Sequence, residues 1–125
     1  MIIDDASVIA EVRSAFDSYE AALMANDVAT LDRLFWRDPR TIRYGVAETL
    51  YGHDAISAFR KARTGDIQRT LERVAITAFG PDTAIAFCEY RMTSTGTLGR
   101  QSQTWVRMPE GWRIVAAHVS RLPQD

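Results

Sequence analysis

From residue 69 onward the chain is composed mostly of strand-forming residues cut by short turns, and this limits its folding more than any other feature. "RTLERVAITAF" (69–79) is closed by "GPD", and "TAIAFCEYRMTS" (83–94) by "TGTLG". "RQSQTWVRM" (100–108) and "WRIVAAHVSR" (112–121) flank "PEG". β-Branched and aromatic residues suit a pleated, half-buried surface. A proline-led turn ending on a glycine with positive φ suits a tight hairpin. Four long strands in succession predict an antiparallel meander, which must bury one face against something else.

The first third supplies that cover. Val8, Ile9, Val12, Phe16, Tyr19 and Leu23 recur at steps of three and four, a stripe that predicts a helix from Asp5 to Ala25. "AND" ends it, and Asp27 caps a second, short helix, "VATLDRLFW". Asp38-Pro39 stops that helix and opens a short strand, Thr41–Tyr44, closed by Gly45. After a turn at Gly52 comes a third helix, "HDAISAFRKART", with Ile56 and Phe59 inward and Gly65 at its end. The fold class is therefore α+β: three N-terminal helices packed on a curved antiparallel sheet. Strict alternation in the last strand puts Trp112, Ile114, Ala116 and His118 on one face, and Val115, Ala117 and Val119 on the other. Both faces are apolar and the helices cover only one, so a homodimer through the other sheet face is expected.

Composition excludes several classes of function. A chain of 125 residues makes one domain, and its net charge of −1 carries no basic excess for nucleic acid. No basic amphipathic segment or run of about 18 apolar residues addresses a membrane. The N-terminal segment lacks the pattern of a signal peptide, and the cytoplasm is the expected compartment. One cysteine, Cys88, permits no intrachain disulfide, and its place in "AIAFCEY" predicts a buried core thiol. His53 and His118 lie far apart with no cysteine or carboxylate at ligand spacing, so no metal is expected. There is no glycine-rich phosphate loop and no nucleophile elbow, and no cofactor is expected.

Two residues in unusual settings draw the functional reading. Arg43 stands between Ile42 and Tyr44 in a strand that must meet the core. It is either a structural ion pair or strand-edge arginine, or a guanidinium on a pocket wall, where its planar fork binds a carboxylate. Tyr19 lies in the apolar stripe of the first helix. Its hydroxyl either meets a backbone partner in the core or reaches a pocket, where nearby positive charge favours the ionised form.

The helical opening, the Trp-initiated last strand "GWRIVAAHVS" and the preceding "GRQSQTWVRMPE" resemble the nuclear transport factor 2-like (SnoaL-like) superfamily. "YEAALMANDVATLDRLFW", "TIRYGVAETLYGHDAISAFR" and "RTLERVAITAFG" resemble its AtzH-like family across essentially the whole chain. The superfamily resemblance implies a cone enclosing a pocket. The family resemblance implies a role in the catabolism of nitrogen compounds such as cyanuric acid and ureides, beside amidase partners. It also implies a decarboxylating amidohydrolase that converts 1,3-dicarboxyurea to allophanate, with catalytic residues at Tyr19 and Arg43. A small anionic substrate and an association with an amidase follow as expectations.

In such a cone, Trp36 at the end of the second helix either walls the pocket or is a plain core residue. His118 would point inward with Trp112 and Ile114, either as a hydrogen-bonded core residue or as a ligand or base. If Met108 pairs with Trp112, Ser102 pairs with His118 and shares its face. Arg69 opens its strand either as a second anion clamp at the mouth or as an exposed charge. Two other classes of function stay open. One is a non-catalytic ligand-binding subunit of an amidase. The other is a proton-transfer isomerase or dehydratase using Glu89 or His118.

Overall fold

The computed structural model describes residues 1–124. Helix α1 spans Ala6–Ala25. The Asp5 carboxylate accepts from the backbone N–H groups of Ser7 and Val8 at its start, and Asn26 ends it in the left-handed conformation, φ 51°. Asp27 caps α2, Val28–Leu34, by accepting from the Thr30 N–H. The helix stops two residues short of Trp36 because Phe35 turns extended. Helix α3 spans His53–Ala62. The His53 Nε2–H donates to the Asp32 carbonyl at 2.7 Å and the Ser57 hydroxyl to the Asp32 carboxylate at 2.8 Å, tying α3 to α2.

The strands are β1 (Ile42–Tyr44), β2 (Thr49–Tyr51), β3 (Arg69–Phe79), β4 (Thr83–Met92), β5 (Leu98–Met108) and β6 (Gly111–Arg121). They form one sheet in the order β2-β1-β6-β5-β4-β3. The sheet is antiparallel apart from one junction, where β1 runs parallel to β6. That junction and the short strand β2 are departures from the purely antiparallel sheet expected. β2 folds back on β1 because the chain reverses between Tyr44 and Thr49.

The helices cover one face of the sheet. There Val12, Phe16, Leu31 and Ile56 pack against Ala78, Ala84, Trp105 and Ile114, all almost fully buried. Cys88 belongs to this core, and burial pushes its thiol up to about 11, so it stays protonated at neutral pH. Among the described residues no helix is long and apolar enough to cross a membrane.

Two β-bulges decide which side chains enter the helix-covered hollow. In β6, Ile114 pairs with Trp105 but Ala116 pairs with Thr104, so Val115 is an extra residue. An extra residue exchanges the two faces for everything beyond it. Trp112 and Ile114 are inward, but so then are Ala117 and Val119, while His118 is exposed on the outer face. The expected alternation through His118 is overturned at Val115. The hairpin register also differs by one residue, since Arg107, not Met108, pairs with Trp112. The bulge restores the difference, so Ser102 does pair with His118, and both lie on the outer face. In β3 the register shifts between Leu71 and Arg73. Val74, Ile76 and Ala78 share the inner face with Cys88, Ala86 and Ala84, while Leu71 and Arg69 share it with Tyr90 and Met92. Without that bulge Arg69 would point outward.

Gly99 is a point of close approach: the Tyr90 ring lies against it, and the Tyr90 hydroxyl donates to the Ser120 carbonyl at 3.1 Å. A Cβ at this position would run into the ring. Gly99→Ala should therefore cost about 1–3 kcal/mol, as overpacking of a filled site does, read as a lower urea midpoint with an unchanged m-value.

Candidate functional site

Between α1, α3 and the inner face of the sheet lies a pocket of about 200 Å³. That is below the roughly 300–1,000 Å³ of sites for drug-sized ligands. Tyr19, Arg43, Arg63 and Arg69 all line it, with Glu48 and Gln101. Helix α1 brings Tyr19 in because it continues the buried stripe of Val12 and Phe16. Strand β1 brings Arg43 in because it pairs with Ala117, on the inner face once the bulge has acted, while Tyr44 pairs outward with His118. Arg69 enters through the β3 bulge.

The pocket carries more positive than negative charge. Arg69 is held by Glu20 through two bonds, Nε–H to Oε2 at 2.9 Å and Nη2–H to Oε1 at 2.7 Å. Burial works to lower its pKa, but the Glu20 bonds outweigh that and raise it. Arg43 gives one Nη1–H to the Glu48 carboxylate at 2.7 Å, and its buried Nε–H has no partner among the described residues. The structural ion pair and the pocket-wall guanidinium are thus both present in one side chain, since Glu48 also lines the pocket. Arg63, part-buried, leaves Nε and Nη2 unpartnered among the described residues. Burial first and the neighbouring Arg60 second pull it down to about 10, which leaves it charged at neutral pH.

Tyr19 is buried with its ring 6.3 Å from that of Phe35. Burial alone would raise the pKa of its phenol. The guanidiniums of Arg60, Arg69 and Arg43 reverse the effect, and the net direction is downward.

The remaining residues singled out in the sequence lie elsewhere. Trp36 is not on the pocket wall; it lies beyond the end of α2, with the Arg40 guanidinium 4.8 Å over its ring. Phe35 takes the inward place, because the chain turns extended one residue earlier. His118 and Ser102 line a separate, larger groove of about 360 Å³ on the outer face, with Arg73, Phe87, Glu89 and Arg100. Glu89 is exposed there because it alternates with the inward Cys88 and Tyr90. No cluster of three His, Cys, Asp or Glu side chains among the described residues could hold a metal ion.

Residues that sequence reasoning missed include Glu20, Glu48, Arg60, Arg63 and Gln101. For Arg60 a signal was present: it lies four residues after Ile56, on the inward face of α3.

The AtzH-like family model matches residues 1–125. The chain belongs to the AtzH-like family. Among solved structures, this AtzH-like protein is similar to a DUF3225-family protein from Pectobacterium atrosepticum, at 52% identity, covering 97% of this chain and 95% of that one with TM-score 0.94. It is also similar to a cystatin-like fold protein from Burkholderia xenovorans, at 42% identity over 100% and 99% of the two chains, TM-score 0.94. An NTF2-like superfamily protein from Salmonella enterica is 26% identical over 94% and 93%, TM-score 0.77. No functionally curated protein matches the chain. The AtzH-like protein thus has the NTF2-like fold, which other chains use for enzymes of several kinds.

Breaking the buried Glu20–Arg69 pair leaves a charge without its partner. Glu20→Ala should destabilise the AtzH-like protein by about 3–5 kcal/mol, measured by chemical denaturation, whereas Glu72→Ala at the exposed Arg91 pair should cost below about 1 kcal/mol.

Proposed function

We propose that the AtzH-like protein is a decarboxylating amidohydrolase acting on a small carboxylated ureide, such as 1,3-dicarboxyurea, and forming allophanate. The observation that carries this reading is the surplus of guanidinium around one buried phenol in a small hollow. Such a site rewards a compact anion and leaves no room for a bulky neutral substrate.

In this reaction an N-carboxylate and water give an amine nitrogen and bicarbonate: R–NH–CO₂⁻ + H₂O → R–NH₂ + HCO₃⁻. Arg43 binds the carboxylate with the donors that Glu48 leaves free, and it neutralises the charge that gathers on oxygen as water adds to carbon. Tyr19 takes the proton from that water and returns it to the nitrogen as the C–N bond breaks. Positioning and proton transfer suffice for these steps, so the reading uses no cofactor. Arg69, already spanned by Glu20, supports the field of the pocket. The isomerase or dehydratase reading loses its bases, since Glu89 and His118 both lie on the outer face.

The reading includes a homodimer through the outer sheet face, where Phe87 is 51% exposed, and a functional association with an amidase in the cytoplasm. Phe87→Glu should shift the mass in analytical ultracentrifugation from dimer to monomer if that face is the contact.

Purified protein alone should release CO₂ or bicarbonate from dicarboxyurea. Tyr19→Phe should lower kcat/KM by about 10²–10⁴-fold. Arg43→Lys should lower it about 10²-fold or more, because a point charge cannot reproduce the planar fork. As Tyr19 must be ionised to accept a proton, kcat/KM should rise with pH and level off below the ordinary tyrosine range near 10. Tight ureide binding with no turnover would instead make the protein a non-catalytic binding subunit.

A further inference from the structure

Arg60 is the most thoroughly buried cation in the molecule, 1% exposed, and it forms no ion pair with a carboxylate among the described residues. Its Nε and Nη1 atoms have no hydrogen-bond partner among the described residues. Its one side-chain partner among the described residues is the Tyr19 hydroxyl, 3.5 Å from Nη2. The guanidinium carbon lies 5.8 Å from the Tyr19 ring and 5.4 Å from the Phe35 ring. It does not line the pocket.

Two aromatic faces attract a cation, but they repay only a part of what water gave it. Removing a guanidinium from water is costly unless an anion answers it. The group within reach that can become an anion is the Tyr19 phenol.

We propose that Arg60 is a positioning residue that holds the Tyr19 oxygen as a phenolate, so that Tyr19 enters the reaction as proton acceptor. This rests on the reading of Tyr19 as the proton-transfer group, and it chooses among the roles open to a phenol there. Before turnover the phenolate faces Arg60 on one side and the pocket on the other. Water gives its proton to the phenolate oxygen as its own oxygen bonds to the substrate carbon. The resulting phenol then gives that proton to the departing nitrogen, and the Arg60–phenolate pair is restored.

Burial opposes ionisation of Tyr19, and guanidiniums on several elements answer it. Arg43 faces Tyr19 from β1, Arg69 from β3 and Arg63 from the end of α3. Of the acids opposing them, Glu20 is engaged with Arg69 and Glu48 with Arg43, while Asp66, which lines the pocket with Arg121, is exposed to water and accepts from the Gln68 N–H. Cys88 near Arg69 is held neutral by burial.

The test is the ultraviolet tyrosinate band followed against pH, with no substrate present. The difference between wild type and Tyr19→Phe isolates Tyr19, and it should titrate below the range of ordinary tyrosines. Arg60→Met keeps the volume and removes the charge, and should move that component up by about one pH unit or more. Arg60→Lys should move it less. The acidic limb of kcat/KM should move by the same amount, which loss of packing alone would not produce. Circular dichroism and the urea midpoint show that each variant is folded. A Tyr19 component at the ordinary tyrosine position in wild type overturns the proposal, even if neither Arg60 variant folds. An unmoved component in a folded Arg60→Met overturns it too. Inertness toward ureides with the shifted titration intact would instead remove the hydrolase reading and leave the Arg60–Tyr19 coupling standing.

Discussion

Positive charge gathered around a small hollow is the constraint around which the rest of this molecule is arranged. Arg43, Arg60, Arg63 and Arg69 converge on one phenol beneath the helices. Each guanidinium taken from water needs an opposing charge, and Glu20 and Glu48 supply two. The remaining imbalance can be met in two ways: by ionising Tyr19, or by drawing an anion into the pocket. In the proposed reaction, binding and proton transfer both answer this same shortage of negative charge.

The apolar core holds this charge in place. Phe16, Trp105 and Ile114 belong to one core cluster and are almost wholly buried, and they hold α1 against the sheet. Phe35 closes the space behind Tyr19 and lends a face to Arg60. Glu48 sits over Gly45, where a Cβ would collide with its carboxylate. That glycine lets the loop carry an acid back onto Arg43, so the pair is short although the two residues are only five apart.

Much of the fold was legible in the sequence. The helical stripe through Tyr19 and the caps at Asp5 and Asp27 mark the helices, and Arg69 and Phe79 bound β3 where the strand-forming residues begin and end. The pocket was legible only where a residue's direction follows from its own element. Tyr19 is such a case, because a helical stripe has one buried side. Arg43 is nearly so, since Ile42 and Tyr44 face the other way. Glu20 and Glu48 were not legible: their partners lie in other elements or across a loop.

His118, Arg69 and Trp36 show where local pattern stops. Alternation along a strand assigns a face only while every residue has one opposite, and a single extra residue reverses all that follows. Val115 turns His118 out, and the irregularity at Glu72 turns Arg69 in. Helix α2 ends before Trp36, so Phe35 takes the inward place. By itself the sequence determined the order of the elements, their caps and the burial of the α1 stripe, because those depend on neighbours a few residues away. Only the tertiary structure decided which charges meet Tyr19. Bulges, register and the junction of β1 with β6 are settled between distant segments, by packing that no local period records.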